Sequence, residues 1–253
     1  MKSFRIIENP SELGAGTRGS SLGVDALRIA AINKKSKLFY ENEVVTLPKN
    51  NKKLSKPIIT PKAIRIKQIF HRIKMLGEEV DNTISQKKFP LVISGDHSSA
   101  AGTIAGLKKA YPNHRIGVIW IDAQSDMHTP YTTPSGNVHG MPLAMAMGID
   151  NKEKARNEVV DIALDYWENC KNLFDIQPKM KPEDLVFIGL RSSEKEEDAL
   201  IKDNNVKTLL VDEVRKSGTN KIVEDTLTYL KACDSIYISL DVDSMDPDIT
   251  SYG

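Results

Sequence analysis

The sequence predicts an α/β fold built on a mostly parallel sheet, and three observations carry that expectation. Short apolar runs bounded by turn residues alternate with stretches of helical periodicity, as in successive βα units. The runs place Val, Ile and Leu on successive positions instead of alternating them with polar residues, as strands covered on both faces do. Three of the runs end directly in acidic or histidine residues, and parallel α/β sheets bind ligands outside the carboxyl ends of their strands.

In chain order, Gly14–Gly19 (GAGTRG) is expected to be a glycine-rich loop. It does not match the phosphate-loop pattern GxxxxGK followed by Ser or Thr, and no clear strand precedes it. Lys49–Lys56, lysine-rich and bracketed by Pro48 and Pro57, is expected to be an exposed loop. Pro61–Ser85 reads as a long helix, with Ile66, Ile69, Phe70, Ile73, Leu76 and Val80 at helical spacing. Pro90–Ser94 is the first clear strand, and Ser98–Ala110 follows as a helix with small residues on its first turns. Further strands are expected at Ile116–Ile121, Leu185–Leu190 and Thr208–Val211. An amphipathic helix at Asn220–Ala232, with Ile222, Val223, Leu227 and Leu230 on one face, leads into a last strand at Ile236–Leu240.

The composition fits one domain over residues 1–253: the chain is 253 residues long, 40% hydrophobic and 27% charged. Lysine and arginine total 35 against 34 acidic residues, so no global field draws the chain to nucleic acid or to an anionic membrane. A small-molecule substrate is the expected partner. Cys170 and Cys233 lie outside any CxxC pattern, which argues against a disulfide scaffold or zinc knuckle. The N-terminus has no continuous apolar stretch, and no segment approaches the ~18 apolar residues of a membrane span, so a cytoplasmic location is expected.

The chemistry lies in ISGDH (Ile93–His97), WIDAQSD (Trp120–Asp126) and SLDVD (Ser239–Asp243). Alternate positions of an extended chain face one side, so Asp241 and Asp243 can share a site, as can Asp122, Gln124 and Asp126. Singly, a DxD or a GDH usually reflects turn or cap chemistry, with Asp96 capping the helix after it. Three such ends together point to one crevice. Gathering four carboxylates there is very costly unless cations neutralise them, and two divalent ions supply that charge. Oxygen-rich ligation with one or two imidazoles suits manganese (Mn2+) better than a thiolate-seeking metal, with iron, cobalt, nickel and zinc as alternatives.

SGDHS (Ser94–Ser98), DAQSD (Asp122–Asp126), SGNVHG (Ser135–Gly140) and SLDVDSMDP (Ser239–Pro247) together resemble, in order and spacing, the signature blocks of the ureohydrolase family, and its arginase branch most. SELGAGTRGSSLGVDALR (Ser11–Arg28) also looks like that family's opening glycine-rich loop and helix. The resemblance implies a three-layer α/β/α domain with two manganese ions at the strand ends. It implies that His97, Asp122, Asp126 and Asp241 hold one ion, that Asp122, Asp241 and Asp243 contribute to the other, and that Asp122 and Asp241 bridge. Asp126 would also accept a hydrogen bond from the metal-bridging hydroxide, and His139 would carry a proton to the departing amine. Ser135 and Asn137 would contact a substrate α-carboxylate, favouring L-arginine over agmatine, with His128 at the same end and Glu194 on the α-amino group. Trimers or hexamers are the family's implied assemblies.

Two departures qualify the expectation. Gln124 stands where the family has a histidine on the second ion, and a neutral amide oxygen is a weaker ligand for a transition metal. The family's pattern also continues beyond SLDVDSMDP, so the chain is expected to lack that C-terminal portion, as a fragment or as a natural truncation. The expected activity is hydrolysis of L-arginine to L-ornithine and urea. Alternatives are an agmatinase, a formimidoylglutamase or another guanidine-type ureohydrolase, or a degenerate non-catalytic homologue that binds metal.

Overall fold

The computed structural model describes residues 3–246 and 248, so Pro247 of the SLDVDSMDP block and the terminal Gly253 lie outside the described residues. Its strands are β1 (Phe4–Asn9), β2 (Glu43–Thr46), β3 (Phe89–Ser94), β4 (Ile116–Ile121), β5 (Leu185–Leu190), β6 (Lys207–Leu210) and β7 (Ser235–Leu240). Every pairing among them is parallel, in the orders β2-β1-β3 and β6-β5-β4-β7. The helices are α1 (Gly23–Asn33), α2 (Leu38–Glu41), α3 (Ile66–Ser85), α4 (Ser99–Ala110), α5 (Pro142–Met147), α6 (Asp161–Lys171), α7 (Lys195–Asp203), α8 (Val211–Ser217) and α9 (Thr219–Tyr229).

Strand periodicity divides the residues of β4 and β5 between two cores. Val118, Trp120, Leu185 and Phe187 face one side and pack on Ile104 of α4, Leu143 of α5 and Leu200 of α7. Ile119 and Val186 face the other side, beneath Ile222 of α9 and Leu230 at its end. Helices therefore cover both faces, which is the three-layer α/β/α arrangement. Burying a side chain the size of Phe187 stabilises by roughly 1.5–3 kcal/mol relative to leaving it exposed, so these two layers fix the strands that carry the site.

The continuous apolar runs are strands at the expected places, within one or two residues. Neither β1 nor β2 is expected from the sequence, because β1 carries charge into the interior. Arg5 is buried against Glu43 and Glu79, and Glu8 is buried against Arg28 and Thr46, so FRIIEN does not look like a core strand. The long helix starts at Ile66 and not at Pro61, since Arg65 adopts a left-handed conformation (φ 60°) before the first turn. The lysine-rich loop contains a short 3-10 turn, Asn51–Ser55.

Two burial expectations are corrected. β7 is covered on one face only among the described residues, with Ile238 60% and Leu240 69% exposed while Ser239, pointing to the other face, is buried. On α9, Val223 and Leu227 are exposed while Ile222 is buried, so the apolar stripe of that helix is only partly used.

Candidate metal centre and cleft

Three strand ends deliver the site. His97 follows β3 by one turn, Asp122 stands directly after β4, and Asp241 directly after β7. The His97 Nδ1 lies 3.0 Å from Asp122 Oδ2, 3.0 Å from Asp126 Oδ2 and 3.1 Å from Asp241 Oδ2. An imidazole Nδ1 carries at most one hydrogen, so it cannot hydrogen-bond three carboxylates at once. Both this nitrogen and Asp122 Oδ2 are shielded from solvent with no hydrogen-bond partner, an arrangement that is costly without a further group. An octahedral ion with bonds of about 2.1 Å sets neighbouring ligand atoms about 3.0 Å apart, and that matches the spacing around His97. The ligand atoms of His97, Asp122 and Asp241 all lie within 4.8 Å of one another, and one imidazole with these two carboxylates fits a hard or borderline divalent cation, while Asp126 approaches the group through His97.

The imidazole is held from two directions. Its ring stacks on Trp120, 4.1 Å between centroids with an 8° interplanar angle, and its Nε2 lies 2.8 Å from the Ser239 hydroxyl. Asp126 reaches the group from a left-handed backbone (φ 49°), a conformation rarely adopted by residues other than glycine. Neighbouring bonds keep it there: the Met127 amide donates to Glu197 Oε1 at 3.0 Å, and the Leu143 amide donates to the Asp126 carbonyl at 3.3 Å.

The electrostatics are those of a site built around positive charge. Burial opposes protonation of His97, but the three carboxylates override it and hold the imidazolium well above its ordinary range. Burial pushes Asp122 up to about 7 against the pull of His97. Burial also acts to raise Asp241, yet its close approach to the His97 imidazole wins and holds it below the usual carboxylate range. Asp243 is raised, first by burial and then by the charge of Asp241.

The second cluster is looser. Asp243 Oδ1 accepts from the Ala123 amide at 3.2 Å, Asp122 Oδ1 from the Gln124 amide at 2.8 Å, and Asp241 Oδ1 from the Asp243 amide at 3.1 Å. Gln124 is exposed and lines the cleft.

Every substrate-contact candidate from the sequence lines this same cleft: His128, Ser135, Asn137 and Glu194 join Asp126, His139 and Gln124 around it. His128 is buried, with Nδ1 3.1 Å from the Thr132 hydroxyl and Nε2 3.4 Å from Glu197. Ser135 is exposed, and its hydroxyl accepts the Asn137 amide at 3.2 Å. Glu194 caps α7 and pairs with Arg156 at 3.3 Å.

Glu197 is the cleft residue that sequence reasoning missed. It is buried, and it accepts from the amides of Met127 and Glu194, completing a reciprocal capping box. Burial raises its carboxyl above the ordinary range. The three-residue spacing from Glu194 is a capping-box spacing, and that was the available signal. Asp96 accepts the Ser98 amide at 3.0 Å within the turn before α4; the N-cap of that helix is Ser98, without a side-chain cap bond, so the cap expected at Asp96 is not formed.

Comparisons with known proteins give the family. The family model described as the arginase family matches residues 2–251. An arginase from Bacillus subtilis is 38% identical over 248 residues, covering 97% of this chain and 77% of that protein. The structure of arginase from Bacillus caldovelox superposes with a TM-score of 0.82 at 34% identity, covering 98% of this chain and 78% of that one. A Bacillus subtilis arginase structure gives a TM-score of 0.81 at 37% identity, with coverage of 98% and 77%. The chain belongs to the arginase family.

Proposed function

We propose that this protein is a manganese-dependent amidinohydrolase that converts L-arginine and water to L-ornithine and urea. The observation that carries the proposal is the His97 nitrogen ringed by Asp122, Asp126 and Asp241, with Asp126 also lining a cleft together with His139, Ser135 and Asn137. His97, Asp122, Asp126 and Asp241 would hold one divalent ion, and Asp122, Asp241, Asp243 and the Gln124 amide the other. When bound, such ions supply the charge that makes water a nucleophile near neutral pH. Asp126 accepts a hydrogen bond from the attacking water and orients it toward the guanidinium carbon. His139 gives a proton to the departing amine of ornithine. Ser135 and Asn137 donate to the substrate α-carboxylate, Glu194 receives the α-ammonium, and His128 bounds the same end.

The experiment is urea release from L-arginine, agmatine and formimidoylglutamate by the manganese-loaded protein. A preference for L-arginine is expected, and a preference for agmatine overturns the roles given to Ser135 and Asn137. Gln124 favours a second reading, a non-catalytic homologue that keeps one ion. One tightly held ion per chain with no urea release at millimolar manganese supports that reading. Under the leading proposal, Gln124→His strengthens the second site by about tenfold or more. Unchanged metal occupancy in that variant refutes the weight given to the glutamine.

A further inference from the structure

The glycine-rich stretch GAGTRG touches the cleft from a side that the proposed chemistry does not use. His139 lies in the short 3-10 turn Val138–Gly140, and its backbone amide donates to the Gly14 carbonyl at 3.2 Å. The Gly14 amide in turn donates to Asp96 Oδ2 at 3.2 Å. Asp96 Oδ1 accepts both the amide of Ser98, at 3.0 Å, and the Ser98 hydroxyl. Three donors converge on the two oxygens of Asp96, a demand that a carboxylate meets and an amide, with one acceptor oxygen, does not. A continuous chain of bonds therefore runs from the start of α4 through Asp96 and Gly14 to the backbone of His139.

Close approach means that a side chain at either glycine would displace the side chains beside it. A Cβ on Gly14 would stand 2.7 Å from Asp96 Oδ1 and 2.9 Å from Ser98 Oγ. A Cβ on Gly16 would stand 2.6 Å from Asn137 Nδ2. The loop thus bears on two cleft residues at once, carrying the backbone of His139 and abutting the amide of Asn137. It is also stiff: Glu12 Oε2 accepts the Gly19 amide at 3.0 Å, the Ser21 amide at 3.1 Å and the Ser21 hydroxyl at 2.8 Å, while Leu13 is buried in the core.

We infer that residues 14–16, clamped by Asp96, are a positioning device that sets His139 for proton transfer through Gly14 and Asn137 for substrate binding through Gly16. The inference rests on the roles proposed above for His139 and Asn137. Asp96 and the two glycines act through those residues and touch no reacting atom.

The test compares Asp96→Asn, Gly16→Ala and Gly23→Ala in the manganese-loaded full chain, with metal content measured for each. Gly23 is the control, since it starts α1 with φ −56° and a Cβ there would meet nothing within 4 Å. Asp96→Asn is expected to lower kcat about tenfold or more with KM little changed, since small misplacement of a catalytic group is costly. The loss of the clamp should also speed hydrogen exchange of the His139 amide by about fivefold, the equivalent of one weakened hydrogen bond. Gly16→Ala is expected to raise KM for L-arginine by about tenfold, the scale of one lost bond to a charged group, with kcat nearly preserved. Gly23→Ala should change neither. The inference is overturned if kcat and KM are unmoved in both site variants, or fall together with metal content. If the unsubstituted chain releases no urea, the proposed function fails, and His139 amide exchange still decides this inference, with unchanged protection in Asp96→Asn refuting it. If Asp96→Asn does not fold, Gly16→Ala decides alone, and an unaltered KM refutes the inference.

Discussion

Ser239→Ala tests the claim that His97 is a pre-set ligand. To bind a cation through Nδ1, the imidazole must carry its proton on Nε2, and that proton then points to the Ser239 hydroxyl 2.8 Å away. Stacking on Trp120 fixes the plane of the ring, while Ser239 fixes its rotation within the plane and its tautomer. Removing the hydroxyl leaves a desolvated ring N–H without an acceptor, at a cost of about 1–3 kcal/mol. Loss of a partner that orients a metal-binding histidine typically weakens binding about 10- to 100-fold, equivalent to about 1.4–2.8 kcal/mol, so the two estimates agree. Calorimetric titration of manganese into chelator-treated protein measures the effect. Tyr237→Phe is the control, because the tyrosine hydroxyl donates to the same Ser239 oxygen at 3.2 Å but does not touch the imidazole. Affinity within about twofold of the unsubstituted chain in Ser239→Ala, or an equal loss in Tyr237→Phe, refutes the role given to this hydrogen bond.

Proton linkage should be visible in the metal-free protein. His97 and Asp122 both have folded-state pKa values above their unfolded ones, so the folded state holds more protons, and stability is expected to fall as pH rises from about 5 to 8. Asp241, shifted the other way, adds stability that is fully present above the ordinary carboxylate range and is lost as pH falls below it, so it gives no slope between about pH 5 and 8. Thermal unfolding followed across this range should show the decline without metal and its suppression with manganese; a metal-free melting temperature that rises with pH contradicts the assignment. Glu197→Ala removes a capping box and leaves the buried Met127 amide without its acceptor, so a loss of about 2–4 kcal/mol is expected in urea unfolding. A loss below about 1 kcal/mol would show that Glu197 does not brace the Asp126 turn.

How much was legible in the sequence depended on how local the determining physics was. Strands such as Ile116–Ile121 and Leu185–Leu190 were readable because burial on both faces leaves an unbroken apolar run. β1 was not, since its Arg5 and Glu8 are neutralised by partners on other elements, and nothing in FRIIEN announces them. Likewise, the exposure of Ile238 and Leu240 among the described residues depends on what packs on that face of β7, and the apolar sequence SIYISL carries no record of that.

The site divides along the same line. Residue type and two-residue periodicity at strand ends pointed to ISGDH, WIDAQSD and SLDVD, while the resemblance to the ureohydrolases singled out His97, Asp122, Asp126, Asp241 and Asp243 within them. That His97 Nδ1 touches three carboxylates and keeps no hydrogen-bond partner of its own is a property of how β3, β4 and β7 are placed in space. The same holds for Glu197 behind the Asp126 turn and for Gly14 beneath His139: hydrogen bonds between segments distant in sequence set those positions, and only the tertiary structure decides which donors and acceptors meet.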